Sequence, residues 1–158
     1  MFEYLVIGKG MMGAAAARYL SSWSDNVALV GPSEPEQWQT HDGVFSSHYD
    51  SGRITRVTDK TYLWGKLAQQ SIAKYREIEQ RSGIRFHFPT GGVIVGQPDY
   101  VEANATVGQQ LGAEFSRYPA HQLPPNMCIQ FPVGLDAVHE TGPAGFIDPR
   151  KLVAAQIA

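Results

Sequence analysis

FEYLVIGKGMMG, residues 2–13, is the stretch that decides the fold. Its apolar first half predicts a short strand over Phe2–Ile7, and the glycines that follow predict a turn. An alanine-rich stretch then predicts a helix from Met11 to Ser22, and the apolar run Val27–Val30 predicts a second buried strand. A strand, a glycine turn, a helix and a strand in this length form a βαβ unit.

The spacing of the glycines gives each of them a separate task. Gly8 allows the tight turn out of the strand, Gly10 lets a pyrophosphate approach the backbone, and Gly13 lets the helix pack closely on the strand. The backbone N–H groups at the helix N-terminus, beginning with Met11 and Met12, then face the phosphates. Placed between a strand and a helix, this pattern predicts an adenine dinucleotide, FAD or NAD(P); the alternative is a glycine-rich turn in another α/β protein.

One part of this fingerprint is missing. The second strand usually ends in an acidic residue that binds the adenosine ribose, but here Gly31 follows Val30. Glu34 could reach back to the ribose, Ser33 could serve instead, or backbone and water could. No arginine stands nearby in the sequence to hold a 2′-phosphate, which argues against NADP.

Composition limits the class of protein. The chain has 158 residues, 43% of them hydrophobic, which is enough for a globular protein with a core. A net charge of −2 without a basic run argues against a nucleic-acid partner. Cys128 is the only cysteine, so the chain has no internal disulfide and no cysteine-based zinc site. We find no signal peptide and no apolar run of about 20 residues, and we expect a cytoplasmic protein without a membrane partner.

The long loop after the βαβ unit is rich in polar and aromatic side chains. Pro32–Gly52 has no periodicity, yet its aromatic content argues against disorder, and loops of this length are usually functional. Ser46, Ser47 and His48 could hydrogen-bond a cofactor from this loop.

Two arginines follow the loop, at positions 53 and 56. Arginine is the side chain that holds a carboxylate with a planar, two-pronged fork. On spacing alone, the simpler interpretation is that Arg53 and Arg56 are surface charges, paired with Asp50 or Asp59.

The rest of the chain predicts helices and short strands. Asp148-Pro149 is a helix start, with Asp148 as the N-cap and Pro149 at the first helical position. Before it we expect a helix over 61–81, a hairpin of strands 85–88 and 93–95, a helix over 100–111 capped by Asp99, and strands that begin at 113 and 136.

Four segments, in this order, resemble the D-amino-acid-oxidase-like flavoproteins, most closely their monomeric sarcosine oxidase and N-methyltryptophan oxidase branch. The resemblance covers essentially the whole chain but only the N-terminal part of the family's length. Because only two strands of a nucleotide-binding sheet are recognisable, we expect the N-terminal part of a longer protein. The segments are 4–13, Phe45-Ser46-Ser47-His48-Tyr49-Asp50 with Arg53 and Arg56, 89–96, and 145–149.

The resemblance implies an α/β fold, α+β overall, with a Rossmann-like FAD-binding βαβ unit and part of an antiparallel-sheet substrate domain. Residues 1–60 would be the N-terminal segment of the FAD domain, 61–142 part of the substrate domain, and 143–158 a helix that returns to the FAD domain. The implied function is oxidation of the C–N bond of an amine or amino acid, with FAD as the cofactor and hydride acceptor.

The resemblance also implies roles for individual residues. Arg53 would lie beside the isoalloxazine ring, where a positive charge favours the reduced flavin, and Arg56 would bind the substrate carboxylate. These roles reverse the interpretation that spacing alone gave to the two arginines. Together with the glycine turn and the ribose candidates, the expected cofactor-binding residues are Gly8, Gly10, Met11, Met12, Gly13, Ser33, Glu34, Ser46, Ser47 and His48.

Some positions depart from the family, and two alternative functions stay open. Gly31 stands where an acid is usual, Tyr49 stands where the sarcosine oxidases have a second histidine, and Cys128 is not in a flavin-attachment context. One alternative is a non-catalytic fragment or assembly component with an incomplete flavin site. If the chain does bind flavin, self-association could complete its sheet. The other is an NAD-dependent dehydrogenase, against which no strand–helix alternation follows Val30.

Overall fold

The computed structural model describes residues 1–43, 46–119, 122, 127–130 and 132–158. Phe45, which belongs to the family-like loop, lies outside the described residues. The chain divides into two compact units. Unit 1 contains Met1–Arg53, Glu77–Phe86 and Ile147–Ala158, and unit 2 contains Ile54–Arg76 and His87–Phe146.

The described elements are short strands and helices, and several strands follow one another directly. In chain order they are β1 (Tyr4–Ile7), α1 (Met11–Leu20), β2 (Val27–Val30), a 3₁₀ helix (Trp38–Thr40), β3 (Arg53–Thr55), α2 (Tyr62–Ser82), β4 (His87–Phe88), β5 (Gly92–Gly96), α3 (Pro98–Gln110), β6 (Phe115–Pro119), β7 (Asp136–Glu140), β8 (Gly145–Ile147) and α4 (Pro149–Ile157).

Unit 1 contains the βαβ arrangement that the first thirty residues predict. β1 and β2 run parallel, with Tyr4 opposite Val27 and Ile7 opposite Val30. α1 connects the two strands and begins at Met11, directly after the glycine turn. The prediction of a Rossmann-like βαβ unit is therefore confirmed.

The two-stranded sheet of unit 1 buries one face only. The side chain of Val6 points towards α1, where its Cγ1 would lie 3.6 Å from a Cβ added to Gly13. Leu5 and Ile7 alternate with Val6 and are 61% and 81% exposed. Within the described residues, the other face of β1 is therefore open to solvent.

α4 returns to the βαβ unit and packs against α1. The carboxylate of Asp148 accepts a hydrogen bond from the Lys151 N–H at 3.1 Å, and Pro149 occupies the first turn. This N-cap is the one that the sequence predicts. Leu152 and Val153 are buried in the face that α4 turns inward.

Unit 2 is organised around an antiparallel sheet in the order β5-β7-β6. α3 packs on this sheet, where Val101, Ala105 and Val138 form a buried cluster with Phe115 against it. A second three-stranded sheet has the order β3-β8-β4. The expected combination of helices and antiparallel strands is thus present.

The predicted hairpin of strands 85–88 and 93–95 is wrong. β4 and β5 belong to different sheets: β4 lies next to β8, and β5 pairs with β7. At Gly91 the backbone has φ +75°, and the N–H of Gly91 donates to Ala144 O at 2.9 Å. This left-handed residue directs the chain away from the β4 sheet instead of closing a two-strand turn.

The helical spacing of Leu63, Leu67, Ile72, Tyr75 and Ile78 predicts one apolar face for α2, and the structure buries only part of it. Ile72, Tyr75 and Ile78 are buried as expected, but Leu63 and Leu67 are 60% and 43% exposed. The first turns of α2 pack through a glycine instead, because a Cβ on residue 65 would lie 2.7 Å from the carbonyl oxygen of residue 57.

Two further boundaries differ from the sequence prediction. α3 begins at Pro98 with Gln97 as its N-cap, so Asp99 lies in the first helical turn and is not the cap. β6 begins at Phe115, two residues later than the strand predicted to begin at 113.

Among the described helices, none combines the length and the apolar character that crossing a membrane requires.

Candidate functional site

The glycine turn brings the backbone of α1 against the end of β1. Gly8 has φ +113°, a conformation that favours glycine, and its N–H donates to Val30 O at 2.7 Å. A Cβ on Gly13 would lie 1.7 Å from the carbonyl oxygen of Gly8. No side chain fits at Gly13, which is the close helix–strand packing that the motif requires.

The N-terminus of α1 presents free backbone donors. Gly10 is the N-cap and has no side chain to satisfy them, and the first intrahelical bond runs from Ala14 N to Gly10 O at 2.9 Å. The N–H groups of Met11, Met12 and Gly13 precede that bond and carry the partial positive charge of the helix end. They are suited to binding an anionic group.

A cavity of about 310 Å³ opens at this helix end. It brings together all the predicted cofactor-binding residues except Ser33 and Glu34. The cavity is lined by Ile7, Gly8, Gly10, Met11, Met12, Gly13, Ser46, Ser47 and His48.

His48 is the buried polar side chain of this cavity. It is 5% exposed, and its ring lies edge-to-face on Tyr49 at 4.8 Å between centroids. Its Nδ1 has no hydrogen-bond partner among the described residues and would lie 3.8 Å from a Cβ on Gly10. Leaving a buried polar atom unpaired costs roughly 1–3 kcal/mol, so this atom points to a ligand beside Gly10.

Burial also sets the protonation state of His48. Burial lowers the pKa of His48 below its ordinary value, and the carboxylate of Glu34 opposes that shift. The imidazole is therefore neutral at pH 7, and its Nδ1 can donate or accept according to the tautomer.

A second cavity, of about 160 Å³, holds the two remaining cofactor candidates. Within it, Lys9 Nζ donates to Ser33 Oγ at 3.1 Å, and Glu34 forms an ion pair with Arg150. His48 lines this cavity as well as the first. The sequence left Ser33 and Glu34 open as side chains that could bind the ribose. In the structure Ser33 accepts a hydrogen bond from Lys9, and Glu34 pairs with Arg150.

Lys9 and Arg150 are the polar residues of this region that sequence reasoning missed. Lys9 occupies a position of the glycine motif at which the motif specifies no residue type, so the sequence gives no signal for it. Arg150 follows the predicted helix start by two positions, but only the fold brings α4 beside Glu34.

Arg53 is held by a carboxylate of its own loop. Its Nε and Nη2 donate to the two oxygens of Asp50 at 2.8 and 2.7 Å, and Nη1 lies 3.9 Å from Met11 Sδ. The hydrogen bonds from Arg53 hold the pKa of Asp50 below its usual range. The predicted flavin-side arginine thus lies beside the first residue of α1, as one half of a bidentate pair.

Arg56 belongs to unit 2. Its Nη1 donates to Thr58 O and lies 3.2 Å from Asp59 Oδ2, and 20% of its side chain is exposed. These contacts match the simpler interpretation from spacing, in which both arginines pair with neighbouring aspartates. The carboxylate-binding role of Arg56 stays a prediction.

The geometry of unit 1 fits an adenine dinucleotide. Gly13 lies against the backbone of Gly8, the N–H groups at the start of α1 are uncapped, and an unpartnered buried nitrogen of His48 faces Gly10. The first two features cradle a pyrophosphate in dinucleotide-binding proteins, and the third offers it a hydrogen bond. The fold and site define a dinucleotide-binding α/β protein.

Comparison with known proteins narrows this class to a family. The profile of the FAD dependent oxidoreductase family matches residues 3–158, and the chain belongs to that family. The family-level prediction from the sequence is therefore confirmed.

Individual relatives are similar over nearly all of the chain. It is 28% identical over 161 residues to a monomeric sarcosine oxidase of Streptomyces avermitilis. This alignment covers 99% of the present chain and 40% of the sarcosine oxidase. Among solved structures, NikD, an unusual amino acid oxidase, has a TM-score of 0.71 at 18% identity, over 99% of this chain and 40% of its own. Glycine oxidase from Bacillus cereus has a TM-score of 0.68 at 14% identity, over 99% and 43%. These likenesses support the fold, and the chain spans about 40% of the sarcosine oxidase.

Proposed function

We propose that the intact protein is an FAD-dependent oxidoreductase that oxidises the C–N bond of a small amine or amino acid. Membership of the FAD dependent oxidoreductase family supports FAD as the cofactor. The observation that carries the proposal is the glycine cradle, in which Gly13 lies against Gly8 at the mouth of a cavity that His48 also lines. The NAD-dependent alternative has no comparable support, because the family that matches is FAD-dependent.

In this proposal the residues of unit 1 hold the cofactor. The N–H groups of Met11, Met12 and Gly13 bind the pyrophosphate, and His48 Nδ1 adds a hydrogen bond beside Gly10. Ser46 and Ser47 line the same cavity and hold the flavin part of the cofactor. When bound, the flavin supplies the acceptor for the two electrons and the hydrogen that leave the substrate carbon.

Arg53 and Arg56 then act on different charges: Arg53 on the cofactor and Arg56 on the substrate carboxylate. The charge of Arg53 lies beside the start of α1, where it favours a cofactor that gains negative charge on reduction. Arg56 binds the substrate carboxylate, and that carboxylate takes over the pairing that Asp59 has in the described structure. Unit 2, with its antiparallel sheet, is accordingly proposed as part of the substrate domain.

The proposed binding of the substrate carboxylate can be tested with two amines, one that carries a carboxylate and one that lacks it. The intact protein is mixed anaerobically with N-methylglycine or with N-methylethylamine, and bleaching of the flavin absorbance is followed. Arg56→Met should raise the N-methylglycine concentration that gives half the maximal bleaching rate about a hundredfold, because it removes a charged pair worth roughly 3 kcal/mol, and it should leave the value for N-methylethylamine unchanged.

Arg117→Met is the matched control. Arg117 lies in the same unit and forms its own ion pair with Glu102 at 2.6 Å. This variant should behave as wild type. Equal losses for both amines in Arg56→Met would contradict the role of Arg56, and failure of every amine to bleach the flavin would contradict the proposed function.

A further inference from the structure

Glu140 is a buried carboxylate of unit 2 that sequence reasoning did not select. Glu140 ends β7 and is 2% exposed. Its Oε1 accepts from Val57 N at 2.9 Å, and its Oε2 accepts from Thr58 N at 2.7 Å and from Thr58 Oγ1 at 2.6 Å. The carboxylate therefore clamps two successive backbone N–H groups and a hydroxyl.

A buried carboxylate is costly unless hydrogen bonds satisfy it. Here the bonds are charge-assisted and converge on one peptide segment, so they fix its backbone conformation more firmly than neutral bonds would. Thr58 is fully buried and Val57 is 5% exposed, which leaves this segment little room to adjust.

The clamped segment is the one that directs Arg56. Val57 and Thr58 follow Arg56 directly, and the carbonyl oxygen of Thr58 accepts from Arg56 Nη1. Glu140 thus holds the N–H groups of the segment, while Arg56 is held by a carbonyl of the same segment. The direction of the guanidinium depends on the conformation that Glu140 imposes.

We propose that Glu140 is the positioning residue for Arg56 and thereby sets the affinity for the substrate carboxylate. The inference rests on the proposed function. Glu140→Gln keeps the size of the side chain but replaces one acceptor oxygen by an NH₂ group, which cannot accept from Val57 or Thr58.

The test compares the two amines on the intact, flavin-loaded protein. Glu140→Gln should raise the KM for N-methylglycine about tenfold with kcat changed less than about threefold, and it should leave N-methylethylamine unchanged. The amide hydrogens of Val57 and Thr58 should exchange faster in the variant. Glu114→Gln, a change at an exposed carboxylate of the same unit, should have neither effect.

A second variant covers the case in which Glu140→Gln does not fold. Thr58→Val removes only the hydroxyl bond to Oε2 and should raise the same KM in the same direction by a smaller factor. An unchanged KM for N-methylglycine, or an equal change for both amines, would overturn this inference alone. A wild-type protein that oxidises neither amine would overturn the proposed function instead.

An independent observation concerns the end of β2, where dinucleotide-binding proteins place a ribose-binding acid. A Cβ on Gly31 would lie 2.9 Å from Lys9 N and 3.2 Å from Lys9 Cγ. Lys9 thus occupies the space that a side chain at position 31 would need. Its ammonium reaches past Gly31 to Ser33 Oγ at 3.1 Å.

We infer that Lys9 and Ser33 bind the adenosine ribose in place of the missing acid. An ammonium has three donors, of which Ser33 takes one, and the serine hydroxyl can itself donate or accept. Glu34 is paired with Arg150 through Oε1, whereas the Lys9–Ser33 pair lies directly beside Gly31.

The test uses ADP and 2′-deoxy-ADP as probes on the flavin-free form of the intact protein, with calorimetric titration as the readout. Wild type should bind ADP about tenfold more tightly than 2′-deoxy-ADP, and Lys9→Met and Ser33→Ala should each shrink that ratio. Lys60→Met, at an exposed lysine, should keep it. A Lys9→Met variant that weakens both nucleotides equally would overturn the inference, whereas a wild type that binds neither would overturn the proposed function.

Discussion

At the scale of single residues, Gly10 and Gly13 make a matched pair within one motif. A Cβ on Gly13 would collide with the backbone at Gly8, whereas among the described residues a Cβ on Gly10 would have His48 Nδ1 at 3.8 Å as its one neighbour within 4 Å. Gly13→Ala should therefore lower the free energy of unfolding by more than about 3 kcal/mol, because the backbone must move. Urea unfolding of the two variants measures this difference.

Gly10→Ala should instead weaken nucleotide binding while leaving the free energy of unfolding nearly unchanged. Its free energy of unfolding should stay within about 1 kcal/mol of wild type, since alanine fits the backbone there and restricts the unfolded chain. Its affinity for ADP should fall at least about tenfold, because the methyl group occupies the space of the pyrophosphate. A Gly10→Ala protein that binds ADP as wild type does would show that no phosphate approaches this residue.

The buried histidine of the glycine-loop cavity makes stability depend on pH. The folded pKa of His48 is lowered by burial, so the unfolded chain, with a pKa of about 6.5, takes up the proton more readily. The stabilisation is complete above that value and is lost as the pH falls through it towards the folded pKa. Between about pH 7.5 and about pH 5.5, wild type should lose more of its free energy of unfolding than His48→Gln does.

If the loss in His48→Gln equals that of wild type, the imidazole is not buried in its neutral form.

The sequence predicts the local tasks of residues better than their long-range partners. The roles of Gly8 and Gly13 follow from spacing alone, because the positive φ of Gly8 and the close approach of Gly13 to the Gly8 carbonyl both arise within the glycine turn. Glu140 carries no local signal, because its partners Val57 and Thr58 lie more than eighty positions away in the chain, 83 and 82 respectively. The same holds for Arg150, whose partner lies on another element.

At the scale of elements, strong local signals are reliable and pairing partners are not. The strand–turn–helix start and the Asp148-Pro149 cap are local and lie where the sequence places them. The hairpin of β4 and β5 fails because adjacency in sequence does not decide which strands pair. A left-handed glycine at 91 and the competing partner β7 decide it instead.

The two candidate helix caps give a prediction at this scale. Asp148 caps α4 through Lys151 N, so Asp148→Ala should lower the free energy of unfolding by about 1 kcal/mol. Asp99 lies in the first turn of α3 and is not its N-cap, so Asp99→Ala should cost only about 0.3–1 kcal/mol through the helix dipole. Thermal or urea unfolding distinguishes the two, and a larger effect at Asp99 would contradict the described start of α3.

At the scale of the whole molecule, the family was predictable from the order of four short segments, and the profile match confirms it. Among the described residues the parallel sheet of unit 1 contains two strands, β1 and β2, and both follow from the local pattern of the first thirty residues. The exposed side chains of Leu5 and Ile7 mark the face of this sheet that the described residues leave uncovered. The sarcosine oxidase relative is longer, and this chain covers 40% of it.

The central claim is that the glycine cradle of unit 1 binds FAD. The most direct test is the visible absorption spectrum of the purified intact protein, followed by acid precipitation and chromatography of the released cofactor. We expect the absorption bands of oxidised flavin, with FAD released into the supernatant or flavin retained in the pellet, and a colourless Gly10→Ala protein that is still folded. A folded wild-type protein without flavin bands, which cannot be reconstituted with FAD, would contradict it.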